Sequence, residues 1–108
     1  MGEGHDATEF EWDAGNADKN WARHRVSQAE CEQVFFNQPL VVGEDELHSL
    51  SEHRQYALGS TDVGRLLFVV YTIRGERVRI ISARDMTARE RKDYEHVRTQ
   101  EQATDPGV

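Results

Sequence analysis

Cysteine, proline and lysine are scarce in this chain of 108 residues: it has one cysteine and two prolines, and its only lysines are Lys19 and Lys92. A lone Cys31 excludes an internal disulfide and a cysteine-rich zinc site, and it suits a reducing cytoplasm. No Pro- or Gly-rich linker and no internal repeat breaks the chain, so one domain is expected. No apolar run is long enough to cross a membrane, and Met1 to Thr8 lacks the apolar segment of a secretory signal. A Gly-rich phosphate loop and a nucleophile elbow are both missing. The five histidines, His5, His24, His48, His53 and His96, show no metal-ligand spacing, so neither a metal nor a cofactor is expected.

Positive charge is also in short supply, with a net charge of −7 that argues at face value against a nucleic-acid partner. Its distribution argues otherwise. Between Arg65 and Lys92 stand eight basic residues, Arg65, Arg74, Arg77, Arg79, Arg84, Arg89, Arg91 and Lys92, against three acids, Glu76, Asp85 and Glu90. Arginine suits forked contact with phosphate or carboxylate oxygens. This stretch reads either as a solvated sheet face or as a surface for phosphate or an acidic partner.

Apolar residues, 37% of the chain, concentrate between Phe10 and Ile81. Residues 1–9 are expected to fray, 10–98 to form the domain, and 99–108 to be a tail. Phe10-Glu11-Trp12 alternates as a short edge strand. Asp13 reads as the N-cap of a helix with an Ala14, Ala17, Trp21 stripe, ending near His24. Ser27 to Glu30 is a capping box, with Val26 and Cys31 placed as a hydrophobic staple. Ala29, Val34 and Phe35 should form that helix's buried face. Leu40 to Val42 reads as a strand, and Arg54, Tyr56 and Leu58 alternate on one face of another. Gly59 to Gly64 has hairpin-loop composition. Leu66 to Thr72 is apolar on both faces, as in a central strand, and Val78 to Ala83 is the last strand. Thr87 to Glu90 is a second capping box, opening a helix to about Arg98. The order β-α-α-β-β-β-β-α predicts an α+β domain with an antiparallel sheet and helices on one side of it.

With metal ligands, phosphate loop and nucleophile elbow set aside, His, Glu, Arg and Tyr remain. Those types suffice for metal-free RNA cleavage, in which the 2′-hydroxyl is the nucleophile and the protein supplies a base, an acid and cations. Phe10-Glu11-Trp12-Asp13, Asn20, Arg23-His24 and Val26-Ser27 resemble the opening signature of the BrnT toxins. Val34-Phe35, Asp45 with His48-Ser49, Glu52 with Arg54, Gly59-Ser60, Gly64-Arg65 and Arg74-Gly75 continue the resemblance. Its most specific segment is Arg79-Ile80-Ile81-Ser82-Ala83-Arg84, followed by Thr87, Glu90-Arg91 and Tyr94-Glu95. Arg25 departs from the pattern, which usually has Gly after the His, as a left-handed helix C-cap would favour. Phe36 to Pro39 departs from the usual Asp-Pro.

The resemblance implies a RelE-like fold and a ribonuclease toxin of a type II toxin–antitoxin pair, inhibiting translation and growth. It also implies a cognate BrnA-like antitoxin that forms a hetero-oligomer with the toxin and carries the operator-DNA contact. The candidate catalytic residues are then His24, Glu52, Arg54, Arg65, Arg84 and Tyr94, with Arg79, Arg91 and His48 for RNA binding. Each has a plainer reading: a surface ion pair for Glu52 and Arg54, a helix C-cap for His24, core packing for Tyr94. Arg79 and Arg84 have opposite strand parity and share a face only if a bulge intervenes. An inactive module that acts with the antitoxin in operon autoregulation is the alternative to an enzyme.

Overall fold

The computed structural model describes residues 9–45 and 53–103. The elements are β1 (Glu9–Glu11), α1 (Ala14–His24), α2 (Gln28–Val34), β2 (Val41–Glu44), β3 (Gln55–Ser60), β4 (Leu66–Arg74), β5 (Arg77–Asp85) and α3 (Ala88–Ala103). They form one five-stranded sheet in the order β1-β5-β4-β3-β2. The expected antiparallel pattern holds from β2 to β5, whereas β1 pairs with β5 in parallel. The sheet is therefore mixed.

The helix starts follow from local chemistry. The Asp13 carboxylate accepts from the Gly15 and Asn16 amides. The Ser27 and Glu30 side chains exchange bonds with each other's backbone amides, as do those of Thr87 and Glu90. Both capping boxes thus satisfy amides that the first helical turn leaves without a partner. Arg25 takes the left-handed conformation, φ 55° and ψ 40°, and its amide closes α1 on Asn20 and Trp21 carbonyls. The turn that glycine would favour is therefore made with arginine.

Alternation along β3 and β4 divides the core. On one face Ala57, Leu67, Val69 and Tyr71 pack with Cys31 and Val34 of α2 and with Val26. On the other, Leu58 packs with Met86 and Tyr94, flanked by Tyr56, Leu66 and Phe68. The helices therefore do not share one side, because Tyr56, Leu58, Leu66 and Phe68 make this second face apolar as well and need a cover, which α3 provides through Tyr94. Ala29, expected in the buried face of α2, is exposed.

Gly59 belongs to β3 rather than to a hairpin loop. A Cβ there would lie 2.7 Å from Val34 Cγ1, so its absence lets α2 approach the strand. Gly59→Ala should cost about 1–3 kcal/mol through overpacking, measured as a lower denaturation midpoint. An unchanged midpoint would show that α2 tolerates displacement.

The pairing of β4 with β5 shifts between Val70–Ser82 and Tyr71–Ile80, leaving Ile81 as an extra residue. The bulge puts Arg79, opposite Thr72, and Arg84, opposite Phe68, on the same face. Since β1 pairs only with Arg77 to Arg79, the outer edge of β5 beyond them needs other cover. Helix α1 supplies it, and Asn20 Oδ1 accepts from the Ala83 amide at 3.2 Å. A helix over an exposed strand edge satisfies its amides and blocks pairing with another chain. Asn20 is consequently the buried residue of α1, at 4% exposure, while Trp21 of the expected apolar stripe is 50% exposed, with Arg25 over its ring.

Candidate active site

The junction of α1 with β5 encloses a pocket of about 390 Å³, lined by Asn16, Lys19, Asn20, Arg23, His24, Arg54, Arg79, Ile81 and Ser82. Four lining residues are cationic, one is histidine and none is acidic. Helix geometry explains the α1 contribution: Asn16, Lys19, Asn20 and Arg23 fall at i, i+3, i+4 and i+7, on one face. The bulge turns Arg79 and Ser82 to the same side of β5, and Arg54 arrives from the residue preceding β3.

Of the residues singled out from the sequence, the structure gathers His24, Arg54 and Arg79. Lys19, Asn20, Arg23 and Ser82 were missed, although the polar i, i+3, i+4, i+7 stripe along α1 was a signal that could have found the first three. His48 and Glu52 lie outside the described residues. Arg79 is held by Glu11 at 3.3 Å and Asp13 at 3.4 Å, which fixes its position beside the pocket.

The other candidates lie elsewhere. Arg65 donates to the His24 and Arg25 carbonyls, to Glu30 and to Asp85. It thereby clamps the C-terminal end of α1, the segment bearing His24, to α2 and the end of β5. The Arg65 hydrogen bond holds the Asp85 carboxyl below its usual range despite some burial. Burial pushes Glu30 upward, but bonds from the Ser27 amide and Arg65 outweigh it and leave its pKa lowered. Arg84 grips Glu90 with two nitrogens at 2.8 and 3.0 Å and lies 4.2 Å over the Phe68 ring. Its bond to Glu90 keeps that carboxyl low. Arg91 donates to the Met86 carbonyl.

Tyr94 is 0% exposed, and its hydroxyl donates to the Pro39 carbonyl at 2.8 Å. Tyr94→Phe should therefore lower stability by about 1–2 kcal/mol, the consequence of a buried carbonyl without its donor, and leave RNA cleavage rates unchanged. A large loss of cleavage with an intact fold would instead give that hydroxyl a chemical role.

Much of the positive stretch from Arg65 to Lys92 is paired off. Besides Arg65, Arg79 and Arg84, Arg74 faces Glu11 and Arg77 faces Glu9. The parallel β1 thus lays its carboxylates beside the arginines at the start of β5. A second concavity, of about 460 Å³, has an apolar floor of Tyr56, Leu58 and Phe68 and a rim of Glu44, Asp45, Glu90 and Asp93. Four carboxylates would repel phosphate, so the α1–β5 pocket is the better anion site. Among the described residues no three His, Cys, Asp or Glu side chains gather as metal ligands could, and no helix is long and apolar enough to cross a membrane.

Residues 12–90 match the sequence model of a family described as the ribonuclease toxin BrnT of type II toxin–antitoxin systems. Among solved structures, the chain resembles the 1.1 Å crystal structure of the Brucella abortus ribonuclease toxin BrnT, with a TM-score of 0.57 and 19% identity. That match covers 75% of this chain and 99% of the Brucella chain, and it supports the α+β fold. No curated protein matches by sequence.

Proposed function

This chain belongs to the BrnT family of ribonuclease toxins of type II toxin–antitoxin systems, and from that premise we propose that it cuts RNA in the α1–β5 pocket without a metal ion. The observation that carries the reading is a pocket with four cationic residues and a histidine in its lining, and no acid, on a chain of net charge −7. A concave cluster of one sign concentrates field lines and attracts a polyanion even when the whole molecule is acidic.

In this mechanism the RNA 2′-oxygen attacks the adjacent phosphorus, and the 5′-oxygen leaves with a proton. The products are a 2′,3′-cyclic phosphate and a 5′-hydroxyl. His24 transfers a proton at one of these oxygens, a role worth about 10²–10⁴-fold. Glu52, two positions before Arg54 in the sequence, is the partner for the other proton transfer. Arg54 and Arg79 stabilise the charge that grows on the phosphoryl oxygens, where a single fixed donor is worth about 10²–10³-fold. Arg65 acts by holding the His24 backbone. In the cytoplasm a cognate BrnA-like antitoxin covers the pocket and brings the complex to operator DNA, and release of the toxin halts translation and growth.

The test is cleavage of RNA by the purified chain in excess EDTA, with and without the antitoxin. Cleavage should persist in EDTA, stop with antitoxin and leave cyclic phosphate ends. Loss in EDTA with rescue by a divalent ion would overturn the metal-free route. Intact RNA under every condition, with the antitoxin complex still forming, would favour the autoregulatory module.

A further inference from the structure

We propose that the Asn20 side-chain amide is a built-in donor for a phosphoryl oxygen in the α1–β5 pocket. Asn20 lines that pocket yet is only 4% exposed. Its Oδ1 is committed to the Ala83 amide at 3.2 Å. This bond settles which way the amide is turned, since a flipped side chain would set two donors against each other. Its Nδ2 is buried and has no hydrogen-bond partner among the described residues.

A buried donor without an acceptor is costly, and native proteins rarely leave one unless a ligand or functional role accounts for it. The surroundings define the missing acceptor. Lys19, Arg23, Arg54 and Arg79 line the same pocket, and they would repel a cation and attract an anionic oxygen. Asn20 adds a short donor to these long side chains: its amide is anchored through the β5 edge, so it donates in a fixed direction with little ordering left to occur on binding.

The assignment rests on the RNA reading only for its ligand being a phosphodiester; the anion site itself stands on the pocket and the buried amide. It predicts that inorganic phosphate, used alone as a probe, occupies the site.

The experiment is a titration of the full-length ¹⁵N-labelled protein with inorganic phosphate at constant ionic strength, following the Asn20 side-chain NH₂ signals. They should shift and saturate. If they stay fixed while other pocket signals respond, the inference is overturned. An equal response to acetate would mark a carboxylate site and overturn it as well.

Asn20→Asp provides the second arm. One carboxylate oxygen can keep the Ala83 bond, while the donor is replaced by an acceptor carrying negative charge. Phosphate affinity should fall at least about tenfold, and RNA cleavage about 10²-fold or more, in a sample that still melts cooperatively. Equal cleavage by wild type and variant would sink Asn20's role while leaving the ribonuclease reading intact. Absence of cleavage in the wild type, with Asn20 still responding to phosphate, would do the reverse. Should the variant fail to fold, the wild-type titration decides.

Discussion

Replacing His24 with alanine is expected to reduce RNA cleavage by about 10²–10⁴-fold, the range for losing a positioned proton-transfer group. The fold should barely register the change. The His24 side chain is exposed at the end of α1, and what the structure takes from this residue is its backbone carbonyl, which accepts from Arg65 at 3.0 Å. Alanine retains that carbonyl. The lost interaction of a basic side chain with the helix C-terminus is worth about 0.3–1 kcal/mol. Single-turnover cleavage and a thermal melt separate the two effects. Full cleavage by a folded His24→Ala protein would remove His24 from the chemistry.

Arg65→Met should have the largest effect on stability. Methionine keeps an apolar stem but removes every bond to Glu30, Asp85 and the His24 and Arg25 carbonyls. Two of the affected acceptors are backbone carbonyls near a helix end, and Glu30 is only a quarter exposed. Hydrogen bonds to a charged group are worth about 1.5–3 kcal/mol each before solvent exposure reduces them, and Asp85 is well exposed. A net loss of about 2–3 kcal/mol is expected, lowering Tm by about 10–20 °C in a domain of this size. Cleavage should fall with it, since the segment bearing His24 loses its anchor.

The same clamp predicts an acid response. Glu30 and Asp85 both have lowered pKa values in the folded protein. Each therefore contributes stability that is fully present above its unfolded pKa, near 4, and is lost as pH falls through its folded value. Arg65 is the source of much of that lowering, so the stability gap between wild type and Arg65→Met should be widest near neutral pH and narrow below about pH 4. Melts from pH 7 down to pH 3 test this. A gap of constant size would show that the backbone carbonyl contacts, rather than the carboxylates, carry the clamp.

Features decided within three or four residues could be read directly. Asp13, Ser27 and Thr87 cap their helices because each cap bonds an amide two or three positions away. The family signature was legible for a similar reason, as many short segments in one order, read from Phe10 to Glu95 and matched from residue 12 to residue 90. The need for glycine at position 59 depends on Val34, distant in sequence and recognisable only once α2 lies on β3. Arg79 and Arg84 share a face because of an extra residue at Ile81 that strand parity does not announce. Charge was the most misleading signal in one dimension: the arginines at the start of β5 meet carboxylates of β1 across 68 positions of sequence. The pocket joins Arg54 and Arg79 to a polar stripe of α1, with Asn20 buried because the edge of β5 needs an acceptor at Ala83. Amino-acid order alone determined the caps, the strand periodicity and the family, because those rest on near neighbours and on residue identity. Tertiary structure decided which charges are cancelled and which polar groups converge, because both depend on contacts that exist only after the sheet has closed.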